Sequence, residues 1–316
     1  MQKEWIQQNK PVIAIMGPTA SGKTSLSIKL AQYLNTEIIA MDSMQVYRGM
    51  DIGTAKPTLA EMQGVPHHML DVADPRQPYS VAEYVKGATE CIESLLDNGK
   101  IPILVGGTGL YHKCLSGGFT LGGTLSDEPF RREMEAIGET PEGRDKLHRE
   151  LQRVDPQTAA RLHVNDLRRV IRALEVYRLT GKPISDQTQA KAPESPYHFI
   201  NLGIGMERSM LIDRINLRVD QMLIDGLVQE VNHLLESGVP ATAQSMQGLG
   251  YKELTPHLLE GASLSDAVEQ IKIGTRQYAK RQMTWFRRTP DMNWLNGLDA
   301  QIVDHALSIL KQNLPL

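Results

Sequence analysis

Eight residues near the start of the chain, Gly17, Pro18, Thr19, Ala20, Ser21, Gly22, Lys23 and Thr24, have the types and spacing of a backbone cradle for an anion. The two glycines let the chain curl so that successive N–H groups point inward, and a helix opening after the second adds its positive end. Lys23 then meets terminal phosphate oxygens, and the Thr24 hydroxyl is placed to hold Mg²⁺. This chemistry needs a strand before the loop and a helix after it. The apolar run 12–16 and the helix-like stretch 25–34 supply both. The residues predict a phosphate site without saying whose phosphate it takes.

The elements that must position this loop are legible around it. Residues 37–41 form a short buried strand ending at Asp42, and the carboxyl end of a parallel strand lines the ligand crevice. Asp42 therefore falls beside the phosphate loop, as a chemical group or as a carboxylate that caps the next turn or holds a metal indirectly. Residues 49–57 read as a loop and 67–71 as another strand. The paired His67 and His68 have no third ligand nearby and suit packing or surface roles. Ser80 and Glu83 make a capping box for a helix over 80–96. The apolar strand 101–105 runs into Gly106, Gly107, Thr108 and Gly109, a second glycine-rich turn at the same sheet edge, with Thr108 reaching into the crevice. Strands alternating with helices predict an α/β fold, a doubly wound parallel sheet like that of the P-loop NTPases.

From 119 to 196 the pattern is helical (128–136, 144–154, 156–162, 166–179), which predicts a helical insertion domain in an α/β core of 1–118 and 197–316. Arg168 and Arg172 share a face there, with Arg169 beside them; the cluster suits a binding surface or simply a solvated one. The sheet resumes at 199–204. A long helix is expected over 209–236, carrying Arg214 and Arg218 one turn apart, placed to clamp a pyrophosphate or to pair with Asp213 and Asp220. A basic helix over 269–288 follows, then a last edge strand near 292–295.

At 316 residues, 41% hydrophobic and 22% charged, the composition is that of a soluble globular protein. The net charge of −3 argues against wholesale nucleic-acid binding, but Lys272, Arg276, Lys280, Arg281, Arg287 and Arg288 lie in a stretch without Asp or Glu. Tyr278, Trp285 and Phe286 stand among them, the mixture of cations and rings that RNA contact uses. Cys91 and Cys114 lack metal spacing and suit a reducing compartment. The start lacks a signal-peptide core and no apolar run reaches membrane-spanning length, so a cytoplasmic location and no membrane partner are expected.

Taken together, residues 16–24, 42–45, 49–57, 106–111, 161–166, 169–176, 248–251 and 275–282 resemble the bacterial tRNA dimethylallyltransferase (tRNA isopentenyltransferase) family, in order and over nearly the whole chain. Val164 stands where that family's pattern has proline, and the zinc-finger tail of eukaryotic members is absent. The resemblance implies transfer of a dimethylallyl group from dimethylallyl diphosphate to the exocyclic amine of the adenosine 3′-adjacent to the anticodon, with Mg²⁺ as cofactor and a monomer as the working form. It implies catalytic roles for Asp42, Thr108, Lys23 and Arg218, and a donor diphosphate held by residues 17–24 with Arg214 and Arg218. It places Asp42, Ser43, Met44, Gln45, Thr108, Arg131, Arg168, Arg169, Val170, Ile171 and Arg172 toward tRNA. The same holds for Gln247, Gly248, Leu249, Gly250, Tyr251, Lys252, Arg276, Gln277, Lys280, Arg281, Gln282, Trp285 and Arg287. The acid–base reading agrees, since Asp42 is placed to take a proton from an attacking amine and the cations to stabilise a leaving pyrophosphate. Two other classes fit parts of the chain. An ATP-using small-molecule kinase leaves the basic aromatic helix without a task, and a nucleotide-switched RNA-binding protein leaves Asp42 without one.

Overall fold

The apolar run after residue 10 becomes β1 (Pro11–Met16), buried at every position, as expected of a strand with helices on both faces of its sheet. The computed structural model describes residues 2–117, 127–189 and 194–315. Its first unit comprises residues 1–115 and 196–316, its second residues 116–195; the boundary expected at 119 lies outside the described residues.

In the first unit, α1 (Gln2–Asn9) and β1 lead into α2 (Lys23–Leu34), β2 (Ile38–Met41), α3 (Leu59–Met62), β3 (His67–His68), α4 (Val81–Asp97), β4 (Ile103–Gly106) and α5 (Gly109–Leu115). The second unit holds α6 (Glu128–Ile137), α7 (Pro141–Val154), α8 (Pro156–Ala159), α9 (Leu167–Thr180) and α10 (Ile184–Gln189). The chain then returns to the first unit through β5 (His198–Gly205), α11 (Arg208–Ile224), α12 (Leu227–Glu236), α13 (Tyr251–Glu260), α14 (Leu264–Phe286), β6 (Met292–Asn296) and α15 (Ile302–Asn313).

The six strands pair in parallel in the order β3-β2-β4-β1-β5-β6. Gly106 lies opposite both Met16 of β1 and Met41 of β2, so the three strands end level and their following loops emerge side by side. Two expected elements differ. The helix expected over 209–236 breaks at Gly226, whose φ of 103° lies in the left-handed region, so α11 and α12 are separate helices. The strand expected over 67–71 stops at His68, because Met69 and Asp71 take φ values of 63° and 56°.

The second unit has its own core of Phe130, Leu147, Leu151, Val170, Ile171 and Leu174. At its edge Glu175 is fully buried, yet it receives Nε of Arg131 at 2.8 Å, Nη1 of Arg172 at 2.6 Å and the Asp127 N–H at 2.8 Å. Burial pushes its carboxyl up, but the donors from Arg131, Asp127 and Arg172 outweigh this and hold it below the usual carboxylate range. Glu175→Gln should lower the urea-unfolding free energy at pH 7 by about 2–3 kcal/mol. That lies below the range for fully buried pairs because the two arginine side chains keep 33% and 32% exposure. A lowered folded pKa means the contribution is complete above the unfolded value near pH ~4.3 and fades as pH falls through the folded one. Equal unfolding curves for the two proteins at pH 7 would refute the assignment.

Candidate active site

Three loops meet at the carboxyl edge of the sheet. After β1, Ala20 and Gly22 take φ values of 62° and 94°, curling residues 17–22 into the first turn of α2. Gly22 caps α2 without a side chain, so the N–H groups of the helix start face the loop. After β2, Asp42 Oδ1 accepts the N–H of Met44 at 2.8 Å and of Gln45 at 3.4 Å. After β4, Thr108 donates its N–H to the Met41 carbonyl, and its Oγ1 accepts the Ser43 N–H at 3.1 Å. The two strand ends touch so closely that a Cβ on Gly106 would stand 1.9 Å from the Met41 carbonyl oxygen.

A cavity of about 360 Å³ opens beside these loops. It is lined by Thr19, Lys23, Thr24 and Asp42, by Ile215, Arg218, Val219 and Met222 of α11, by residues 247–252, and by Ile271, Thr275, Tyr278, Arg281 and Gln282 of α14. Lys23 Nζ donates to the Pro18 carbonyl at 2.7 Å, and Arg218 Nη1 reaches Thr19 Oγ1 at 3.4 Å. Burial and then the Arg218 charge pull the Lys23 ammonium down to about 7, against the opposing influence of Asp42. Burial also lowers Arg218. Two poorly solvated cations with one facing carboxylate make a site for an anion carrying several negative charges. Burial, with the Asp42 charge second, raises the Tyr278 phenol well above its usual value, so it stays a neutral hydrogen-bonding group. Among the described residues no three His, Cys, Asp or Glu side chains form a metal cluster. The Thr24 hydroxyl and the Asp42 carboxylate, both in the lining, are oxygen ligands of the kind Mg²⁺ accepts when substrate phosphates complete its shell.

A family model described as IPP transferase matches residues 45–289, and one described as isopentenyl transferase matches residues 10–77. The chain belongs to the tRNA dimethylallyltransferase family. A tRNA dimethylallyltransferase of Pelotomaculum thermopropionicum is 48% identical over 288 residues, 91% of each chain. One of Bacillus cytotoxicus is 45% identical over 98% of each. The solved structure of the full-length tRNA isopentenylpyrophosphate transferase from Bacillus halodurans aligns with a TM-score of 0.71 at 43% identity, covering 96% of this chain and 98% of that one. That of a eukaryotic dimethylallyltransferase acting on tRNA gives 0.81 at 32% identity, covering 97% and 80%.

The other residues singled out by the family resemblance divide by burial. Arg218 lines the cavity, whereas Arg214 is exposed and outside its lining, because α11 turns Ile215, Arg218, Val219 and Met222 inward. Arg168 and Arg169 are exposed on α9, but Val170 and Ile171 are packed in the second unit's core, and Arg131 and Arg172 are engaged by Glu175. These four positions thus have structural tasks that the charge cluster alone does not reveal. On α14, Gln277, Lys280, Arg281, Trp285 and Arg287 are exposed, Arg276 pairs with Glu269 and Asn216, and Gln282 is buried. Tyr251 is fully buried, its hydroxyl on Glu230 at 2.6 Å. Glu230 had no signal in the sequence. Its carboxylate also accepts three consecutive N–H groups, of Asp51, Ile52 and Gly53, at 2.8–3.1 Å, and so fixes the loop that carries Gly53, Thr54 and Ala55 to the cavity wall.

The Lys23 environment yields a pH test. An anion beside the ammonium restores its usual range, so diphosphate binding above pH 7 draws a proton onto Lys23. Calorimetry with inorganic diphosphate at pH 8, in buffers of different ionisation enthalpy, should show close to one more proton taken up by the wild type than by Lys23→Arg, whose cation does not titrate. Affinity of the wild type should weaken as pH rises above 7. Identical proton uptake by both proteins would show that Lys23 is not held down.

Proposed function

We propose that this chain transfers the dimethylallyl group of dimethylallyl diphosphate to the exocyclic amine of the adenosine 3′-adjacent to the anticodon in tRNA, releasing diphosphate. The observation that carries the reading is the pairing, around one cavity, of two half-buried, poorly solvated cations with a carboxylate and the apolar side chains of Ile215, Val219 and Met222. The diphosphate suits the N–H groups of residues 17–24 with Lys23 and Arg218. The prenyl chain suits Ile215, Val219 and Met222. Thr24 is the residue that would hold Mg²⁺, which when bound offsets the donor's negative charge.

In the reaction the bond between donor C1 and the bridging oxygen breaks, and its electron pair leaves with the diphosphate. The amine nitrogen forms the new bond to C1 and loses a proton to Asp42. An amine conjugated with its ring is a weak nucleophile, and a hydrogen bond to a carboxylate localises its lone pair. The base must leave its stack to reach the cavity. Exposed Arg168 and Arg169 on one unit, and Lys280, Arg281 and Arg287 on the other, supply cations for the phosphate backbone. A cytoplasmic monomer is part of the same reading; among the described residues no helix is long and apolar enough to cross a membrane.

Wild-type protein should move label from dimethylallyl diphosphate, and not from ATP, onto tRNA. Asp42→Asn keeps an oxygen for the Met44 and Gln45 N–H groups and loses the base, so its single-turnover rate should fall by about 10²–10⁴-fold while tRNA affinity holds. Recovery of that rate with added Mg²⁺ would identify Asp42 as a metal holder, and an unchanged rate would exclude both roles. Separately, Arg168→Ala with Arg169→Ala should raise the tRNA concentration needed for half-maximal rate and flatten the salt dependence by about one unit of slope per lost phosphate contact. Donor affinity should be unmoved; equal loss of both would make this end of α9 structural only.

A further inference from the structure

Resting on that reading of the reaction, we propose that Gln282 is a positioning residue that holds the phosphate loop in register with the turn after β4, and not a contact to tRNA. Its side chain is buried on the inner face of α14, 5% exposed, between exposed Arg281 and Thr284. Its Oε1 accepts the Thr19 N–H at 2.9 Å, and its Nε2 donates to the Gly107 carbonyl at 3.0 Å. The reverse amide orientation would set donor against donor and acceptor against acceptor, so the two backbone groups fix the side chain in one sense. Gly107 is shaped to this contact, because a Cβ there would stand 2.1 Å from Nε2.

Each end of the bridge continues into one half of the reaction. On the donor side Thr19 meets Arg218 through its hydroxyl. On the acceptor side Gly107 precedes Thr108, whose Oγ1 takes the Ser43 N–H next to Asp42. One amide from a helix far along the chain thus sets the distance between the groups that hold the leaving diphosphate and the carboxylate that takes the amine proton. A displacement of about 1 Å between reacting groups costs on the order of 10²-fold in rate without much change in binding.

The test compares Gln282→Met, which keeps length and loses both hydrogen bonds, with Gln282→Glu. Single-turnover transfer from labelled dimethylallyl diphosphate to tRNA should fall about 10²-fold in Gln282→Met, with donor and tRNA affinities near wild type. In Gln282→Glu the ionised carboxylate still accepts from Thr19 but turns its second oxygen on the Gly107 carbonyl; protonation restores a donor there. Its rate, taken as a ratio to wild type at each pH, should therefore recover as pH falls from 8 to 6. Lys23, Arg218, Asp42, Tyr278 and Arg281 line the same cavity in both proteins, and the ratio divides out the wild type's own pH dependence. A variant that regains rate on protonation is folded, so misfolding cannot mimic the result. A wild-type rate in Gln282→Met, a loss confined to tRNA affinity, or a flat ratio across pH would each overturn the inference. Absence of transfer by the wild type itself would instead overturn the activity on which it rests.

Discussion

Lys23 and Arg218 share one poorly solvated cavity with Asp42 facing them, and the fold has to hold that arrangement against its own electrostatics. Burial disfavours both cations, and their mutual repulsion adds to it. The sheet makes this tolerable by fixing where each group starts. Lys23 opens α2 directly after the β1 loop, and Asp42 follows β2, which is separated from β1 only by β4. The parallel register ends all three strands level, so neither group has to reach. An anion carrying several charges relieves the strain that the protein alone carries, and a site built this way selects its ligand by charge before it selects by shape.

Loops at such an edge expose backbone N–H and C=O groups that need partners. Here the partners are side chains from distant parts of the sequence. Glu230 gathers three N–H groups of the 51–53 loop, and Gln45 Nε2 reaches the carbonyls of Thr54 and Ala55 at 3.1 Å. Lys56 Nζ joins the Tyr47 carbonyl to Asp51 and Asp71. The consequence is a cavity wall of irregular backbone whose polar groups are held by side-chain partners, which is what positioning a reacting pair requires.

The strands β1, β2, β4 and β5 were legible as short apolar runs, and Lys23, Asp42 and Thr108 followed from lying just past them. That inference works because a buried parallel strand needs no partner to be recognised and its carboxyl end has a known direction. Gln282 and Glu230 were not legible in their roles. They act 263 and 177 residues away from Thr19 and Gly53, and nothing in their own neighbourhoods marks them. The arginine-rich stretch of α9 shows a milder failure. Charge counting groups Arg168, Arg169 and Arg172, but helical periodicity puts Val170 and Ile171 in the core and Arg172 on the buried Glu175, three residues on. The α11–α12 break was hidden because apolar spacing continues across Gly226, and only the backbone shows the left-handed turn.

The Asp42 geometry joins two readings that its position after β2 had kept apart. Oδ1 takes the N–H groups of the turn, which fixes the carboxylate's orientation, and on the proposed reading Oδ2 is the oxygen that meets the incoming amine. A base held this way loses no side-chain freedom when it binds its substrate, so the hydrogen bond to the amine is not offset by an ordering cost. Thr108, by holding Ser43, fixes the next residue of the same turn from the neighbouring strand. Capping and catalysis are therefore not rivals for this carboxylate: on the proposed reading the cap is what makes the second oxygen a usable base.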